Sequence, residues 1–349
     1  MRYLFIDTQM ALMLATLLFL RNRCLEKFHP QRPLQMELLS LPALNRMAIC
    51  GGTHGNEMTG VYLVQEMARR QKELGDKAWP VPIVLVLSNP RAMKECRRYS
   101  ETDLNRCFTS SILSTPISDS SPYEVRRAHE LNALLGPKES KEAIDVLCDL
   151  HNTTSNMGVT IISYSPNEWI SLHIYKYLKM KMTSVPVRLF MVNIPINEAY
   201  SLESVGKNGF SLEVGPQPHG VLRADIYNYM KEAIELAIEW VSLFNSGAVI
   251  EGGEVETHMF HKSIDYPRDP ESNQMTAAIH PQLQDQDFCC LKPGDPMFLS
   301  FSGETVCYEE EDSLYPFFIN ECAYYEKGIA FHLARKTTLK IPSVKVQRD

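Results

Sequence analysis

The sequence holds nine cysteines but no C-x-x-C pair. Cys24, Cys50, Cys96, Cys107, Cys148, Cys289, Cys290, Cys307 and Cys322 are scattered and odd in number, which argues against a thiol redox motif or an even disulfide framework. Several lie in apolar runs, as reduced core thiols do, and a cytoplasmic, reducing compartment is expected. No G-x-G-x-x-G occurs, which removes the fingerprint of a nucleotide-dependent α/β oxidoreductase. Positive charge is not in excess either. There are 35 Lys and Arg against 42 Asp and Glu, a formal net charge of -7, so nucleic acid is not expected as a partner.

Long hydrophobic runs are scarce. Met10 to Leu20 is apolar and is followed by Arg21, Arg23 and Lys27, but it is too short to span a bilayer comfortably. It lacks a small-residue cleavage site, and Asp7 interrupts a basic leader, so it does not read as a secretory signal. A signal anchor or an upstream start, with Met36 as a second initiation point, are the readings left. Residues 1–42 are expected to be an appendage, and membrane association through them stays open. The rest has the composition of a globular chain with ample core, 44% hydrophobic and 22% charged. The length suggests two domains.

What is present is a pair of strand ends carrying metal-capable side chains. Met47-Ala48-Ile49-Cys50 is a short apolar run, and Gly51-Gly52-Thr53-His54-Gly55-Asn56-Glu57 follows it. An amphipathic stretch begins at Met58, so strand, glycine-rich turn and helix are expected in that order. In an open α/β sheet ligands bind beyond the carboxyl ends of strands. Catalytic zinc takes three protein ligands from imidazole and carboxylate groups and keeps one position open. His54 and Glu57 supply two. Ala143 to Leu150 reads as a buried strand and ends at His151, the third candidate. Two parallel neighbouring strands would bring all three together.

Other stretches fill in an α/β pattern. Met58 to Lys72 is a helix with Val61, Val64, Met67 and Ala68 on one face. Ile83 to Leu87, Val159 to Ser163 and Val187 to Val192 read as strands. Ser121-Pro122-Tyr123-Glu124 reads as a capped helix start, with Ser121 at the cap, and Gly136-Pro137 as its stop. Pro166 and Asn167 open a helix to about Lys181. The polar segment Arg97 to Arg106 has no periodicity. Arg98 and Arg106 could each grip an oxyanion or carboxylate through a planar guanidinium. Glu213 sits in the apolar run Phe210 to Pro216, where burial favours pairing or a raised pKa; either suits a general base. Ala224 to Phe244 is a long helix with Ile226, Met230, Ile234, Ala237 and Val241 as its core stripe. Beyond Gly247 short β-like runs alternate with turns. His258, His261 and His280 there are read as structural, Cys289 and Cys290 as reduced thiols. Asn320 to Lys327 is a polar, aromatic-bearing loop able to close over a site.

Five motifs then resemble one family. They are Gly51 to Glu57, Asp103-Leu104-Asn105-Arg106, Asp149 to Thr154, Glu213 to Pro218, and Asn320-Glu321 to Tyr324-Tyr325-Glu326-Lys327. Together they resemble the aspartoacylase family over about residues 44–341. The resemblance implies a zinc-carboxypeptidase-like α/β fold: a mixed sheet flanked by helices, catalytic over 43–247, with a smaller β-rich C-terminal domain over 248–349. It implies one Zn2+ per chain on His54, Glu57 and His151. It implies Glu213 as general base and Arg98 as the group polarising the scissile carbonyl. Asn105 and Arg106 match the pair that holds the substrate's α-carboxylate, and Tyr324 matches the tyrosine completing the pocket. Where the aspartate-specific members carry an arginine, this chain has Glu203, with Arg188 or Arg223 as possible replacements. A carboxylate there would repel a second carboxylate. The branch acting on N-acyl aromatic amino acids also lacks that arginine, and Asn105 to Ser111 and Lys207-Asn208-Gly209 resemble it.

The expectation is a cytoplasmic homo-oligomeric enzyme hydrolysing a small N-acyl amino acid. An aspartoacylase acting on N-acetyl-aspartate, a metallo-carboxypeptidase and a non-catalytic small-acid binding protein stay open beside it.

Overall fold

The computed structural model describes residues 37–196 and 198–347. The apolar run Met10 to Leu20, Cys24 and Met36 lie outside the described residues. In chain order the elements are β1 (Leu38–Leu41), β2 (Met47–Gly51), α1 (Met58–Leu74), β3 (Ile83–Leu87), α2 (Pro90–Glu95), α3 (Ser110–Ser114) and α4 (Tyr123–Leu135). Then come β4 (Val146–Asn152), β5 (Gly158–Ser163), α5 (Trp169–Lys181), β6 (Val187–Met191), β7 (Gly209–Gly215) and α6 (Ala224–Asn245). The rest is strand: β8 (Gly253–Ile264), β9 (Ala277–Ile279), β10 (Pro296–Ser300), β11 (Thr305–Cys307), β12 (Tyr315–Phe317), β13 (Phe331–Ile341) and β14 (Ser343–Val346).

A nine-stranded mixed sheet runs in the order β12-β13-β8-β6-β5-β7-β4-β2-β3. Strands β3, β2, β4 and β7 are mutually parallel, so their carboxyl ends share one edge. β5 is antiparallel to β7, and β6 and β8 follow β5 in parallel. The sheet passes without a break from β6 to β8, and the described residues from Leu38 onward form one compact unit. β1 pairs in parallel with β14. Leu38 to Leu41, within the segment expected to be an appendage, are thus part of the sheet structure.

Alternation along the strands assigns the two faces. Met47 and Ile49 of β2, Val146, Cys148 and Leu150 of β4, and Phe210, Leu212 and Val214 of β7 pack with α1, α5 and α6 in one large core. Ala48, Cys50 and Leu147 turn the other way and pack with Leu131 and Leu135 of α4. On that second face, past the end of the α4 core, β4 carries Asp149 and His151 and β7 carries Ser211 and Glu213. The helix stripes follow a 3.6-residue period. All five residues expected in the core stripe of α6 are buried. In α1, Val61, Val64 and Met67 are buried with Leu63, but Ala68 faces solvent.

Three expected starts shift. The first residue of α4 is Tyr123, and Pro122 rather than Ser121 occupies the cap, without a side-chain cap bond. Ser121 Oγ instead accepts from Ser118 N at 3.0 Å. α5 begins at Trp169 rather than at Pro166, because Glu168 is the cap residue and its carboxylate turns back to accept from Tyr164 N at 3.0 Å. β4 begins at Val146; Asp145 ahead of it accepts from the amides of Asn45 and Arg46. Among the described residues no helix is long and apolar enough to cross a membrane, and all eight described cysteines are free.

His173 and His258 are packed away from solvent, and His332 is half-buried in the cavity wall. Burial pushes each imidazole down to about 4 from 6.5. A depressed folded-state pKa means the stabilisation is complete above the unfolded value and lost as pH falls through the folded one. Denaturant midpoints are expected to fall between about pH 6.5 and pH 4, and a His173→Asn, His258→Asn double variant should show a shallower fall over the same window.

Candidate metal centre and active site

The turn after β2 is shaped by two glycines. Gly52 has φ +72°, a left-handed conformation that disfavours other residues. A Cβ on Gly55 would stand 2.1 Å from the Ala92 carbonyl carbon and 2.3 Å from Met93 N, so only glycine lets α2 lie against the turn. The bend carries His54 and Glu57 back under the sheet edge. β4 is the parallel neighbour of β2, and His151 at its end meets them there. One ligand atom from each of the three lies within 4.8 Å of the others, and all three residues are buried.

The polar contacts around them are close. His54 Nδ1 is 2.6 Å from Glu57 Oε1, and His151 Nδ1 is 2.8 Å from Glu57 Oε2. The two Nδ1 atoms stand 3.1 Å apart. Ligands about 2.0 Å from a tetrahedral ion are about 3.3 Å apart, so the nitrogens already have nearly that spacing. Each imidazole is held from behind. His54 Nε2 is 3.1 Å from Asp103 Oδ1, and His151 Nε2 is 2.8 Å from Asp149 Oδ2. Such outer carboxylates fix the ring and leave the facing nitrogen for an ion. Thr53 Oγ1 donates to Asp149 at 2.7 Å. Burial opposes the charge on Glu57, yet His54 and His151 hold its carboxyl well below the usual range. Burial likewise opposes protonation of His151, and Asp149 and Glu57 overcome it. The donor set and its bracing fit a divalent cation of the zinc type.

A cavity of about 490 Å³ opens beside this cluster. His54, Glu57, Arg98, Asn105, Arg106, Glu213 and Tyr324 all line it. His151 does not; it lies buried against Glu57 and His54. Glu213 is the β7 partner of His151 across the β4–β7 pairing, so both side chains rise from the same sheet face. Its Oε2 is buried without a hydrogen-bond partner. Burial pushes its carboxyl up to about 8, with Glu57 and Glu321 adding to the rise and His151 and Arg98 opposing it. Arg98 donates to Asp103 Oδ2 at 3.1 Å and approaches Glu57 Oε1 at 3.5 Å. Arg106 stacks over Tyr200 at 4.6 Å. Asn105 Oδ1 accepts from Leu202 N at 3.0 Å. Tyr324 comes from the short turn Cys322–Lys327. The remaining wall is largely apolar: Ile162 of β5, Phe190 of β6, Phe317 of β12, with Val192, Phe318 and Ile329. Glu203 lines the cavity too, while Arg188 and Arg223 do not. Arg188 is turned to the Met157 carbonyl at 2.7 Å, and Arg223 is paired with Asp225 on the surface. Neither is placed to stand in for the missing arginine.

The chain is matched by a family model, the Succinylglutamate desuccinylase/Aspartoacylase catalytic domain, over residues 43–239. A second, the AstE/AspA barrel-sandwich hybrid domain, matches residues 253–336. The chain belongs to the succinylglutamate desuccinylase/aspartoacylase family. Within it, the chain is 67% identical to the N-acyl-aromatic-L-amino acid amidohydrolase (carboxylate-forming) A of Danio rerio, covering 90% of this chain and 95% of that protein. It is 42% identical to the aspartoacylase of Mus musculus over 86% and 96% of the two chains. The crystal structure of murine aminoacylase 3 is similar at TM-score 0.83 and 43% identity, covering 87% of this chain and 99% of that one. The α/β sheet and the C-terminal β-rich part of this chain are thus matched in the murine aminoacylase 3 structure.

Several side chains at the site escape sequence reasoning. Asp149 was legible in outline, two residues before His151 and so on the same strand face. Asp103 and Lys327, 3.7 Å apart in the cavity wall, stand within two of the quoted motifs, but no spacing gave either of them a role. Nor did spacing point to Glu124 as part of the site. It is fully buried in α4 and accepts from the amides of Ser100 at 2.6 Å and of Glu101 and Thr102 at 3.1 Å. It thereby ties down the loop that bears Arg98, Asn105 and Arg106. Removing one partner of such a bond costs about 1–3 kcal/mol. Glu124→Gln should therefore raise hydrogen exchange at those three amides by at least about tenfold, with the amides of β2 and β4 unchanged.

Proposed function

We propose that the chain is a zinc-dependent amidohydrolase that removes the acyl group from N-acyl aromatic L-amino acids, releasing a carboxylate and the free amino acid. The observation that carries this is one cavity that joins a His-Glu-His cluster, an unpaired buried carboxyl, a cationic rim and an apolar wall. The names of the relatives argue the same way. His54, Glu57 and His151 would hold the ion, with the catalytic part over 43–247 and the β-rich part over 248–349 closing the cavity. The chemistry zinc supplies at such a site is Lewis acidity and the acidification of water.

The chain's own groups do the rest. Glu213 takes the proton of the water that attacks the acyl carbonyl, then returns it to the departing amide nitrogen. A carboxyl pushed up to about 8 by burial is suited to both transfers. Arg98 turns a guanidinium toward the charge that develops on the carbonyl oxygen, and preorganised charge of this kind contributes most when water is excluded. Arg106 and Asn105 grip the α-carboxylate, with Lys327 adding positive charge at the same rim. Tyr324 covers the bound molecule. Phe190, Phe317 and Ile162 receive an apolar side chain. An acidic one would face Glu203 with no arginine beside it, which counts against N-acetyl-aspartate as substrate. The free thiols suit a cytoplasmic location, and a homo-oligomer remains part of the reading.

Elemental analysis should find about one zinc per chain, and His151→Ala should lose it. Glu213→Ala should keep the metal and lower kcat by about 10²–10⁴; loss of metal instead would move Glu213 into the ligand set. In a panel of N-acetyl amino acids, tyrosine, phenylalanine and tryptophan derivatives should be hydrolysed well ahead of the aspartate derivative. The reverse order would overturn the substrate assignment. Arg106→Ala should raise KM more than it lowers kcat, and α-methyl esters should be poor substrates.

A further inference from the structure

The cavity is polar near the His-Glu-His cluster and apolar along β5, β6 and β12, and its wall also holds a buried carboxyl that the reaction above does not use. Glu203, in the turn Leu202–Val205, lines the cavity and is only 1% exposed. Its Oε1 accepts from Ser201 Oγ, and that hydroxyl also contacts Tyr164 OH. Its Oε2 is buried with no hydrogen-bond partner. No arginine or lysine among the described residues lies within ion-pair distance of it. Burial, with the charge of Asp149 nearby, pushes its carboxyl up. A buried polar atom without a partner is costly, and a carboxylic acid can both donate and accept. A hydroxyl, which also does both, satisfies it without introducing charge, and it is the group of this kind that an aromatic amino-acid side chain carries.

We propose that Glu203 reads a hydroxyl on the substrate side chain, so that N-acyl amino acids bearing a 4-hydroxyphenyl group are preferred over their unsubstituted phenyl analogues. This rests on the amidohydrolase reading above and narrows it. Tyr164 and Ser201 act as positioning residues, since they hold Oε1 and leave Oε2 for the ligand. A cationic side chain could also meet Glu203, but Arg106 and Lys327 line the same cavity and oppose it.

The test compares kcat/KM for N-acetyl-L-tyrosine, N-acetyl-L-phenylalanine and N-acetyl-O-methyl-L-tyrosine with the full metal-loaded chain. Calorimetric binding of free L-tyrosine and L-phenylalanine serves as a readout independent of turnover. Tyrosine is expected to lead phenylalanine by at least about tenfold in both, with the O-methyl compound falling to the phenylalanine level or below. Glu203→Gln, which still donates and accepts, should keep the preference; Glu203→Leu should bring the ratio close to one. A ratio near one in the unsubstituted protein, an unchanged ratio in Glu203→Leu, or preferred hydrolysis of Nα-acetyl-L-lysine would each overturn the assignment. If Glu203→Leu does not fold, the O-methyl comparison decides. If no N-acetyl aromatic substrate is cleaved, the function falls, and product binding still decides the role of Glu203.

Discussion

Two imidazoles and three carboxylates are packed together where water is excluded, and the remainder of the site is arranged around that. Taking one such charge out of water costs several kcal/mol unless it is paired and hydrogen-bonded. Here every oxygen and nitrogen has a neighbour: Asp103 against His54, Asp149 against His151, and Glu57 between the two rings. The pairing needs three segments at one place: the turn after β2, the loop bearing Asp103, and the end of β4. Parallel strands supply it, because β2, β3 and β4 all end at the same edge of the sheet.

Two further buried carboxylates do a different task, fastening loops by their backbone amides. Glu124 grips residues 100–102. Glu321 accepts from Thr154 N at 2.7 Å and Ala323 N at 3.0 Å, and also from Thr153 Oγ1. Burial works against its charge, and His219 and these hydrogen bonds bring its carboxyl down to about 2. The two walls of the cavity mouth are thus fixed by acceptors rather than by apolar packing. Tyr99 donates to Glu326 at 3.0 Å across the gap.

The sheet strands and long helices could be read from the chain because their signal is local. β3 is bounded where its β-branched run begins and ends, and the α6 stripe follows its period residue by residue. His54, Glu57 and His151 were legible because the first two stand in a turn directly after an apolar run and the third stands at the end of one. The rest depends on contacts between distant segments. Ser121 looks like a cap, but Ser118 takes its hydroxyl. Leu38 to Leu41 carry no strong strand pattern by themselves, and they become β1 only because β14 returns beside them more than 300 residues later. The apolar wall is drawn from β5, β6 and β12 together, and no window of sequence contains it.

β6 and β8 join through just two residue pairs, Phe190 with His258 and Met191 with Met259. Phe190 is at once a rung of that seam and a panel of the binding chamber, whereas Phe260 and His332, which also line it, belong to the much longer β8–β13 pairing. Reshaping the chamber at Phe190 therefore also disturbs the shortest strand pairing in the nine-stranded sheet. The turn at 202–205 lies outside the strand register. A change of the Glu203 side chain there alters the chamber and leaves every strand pairing in place.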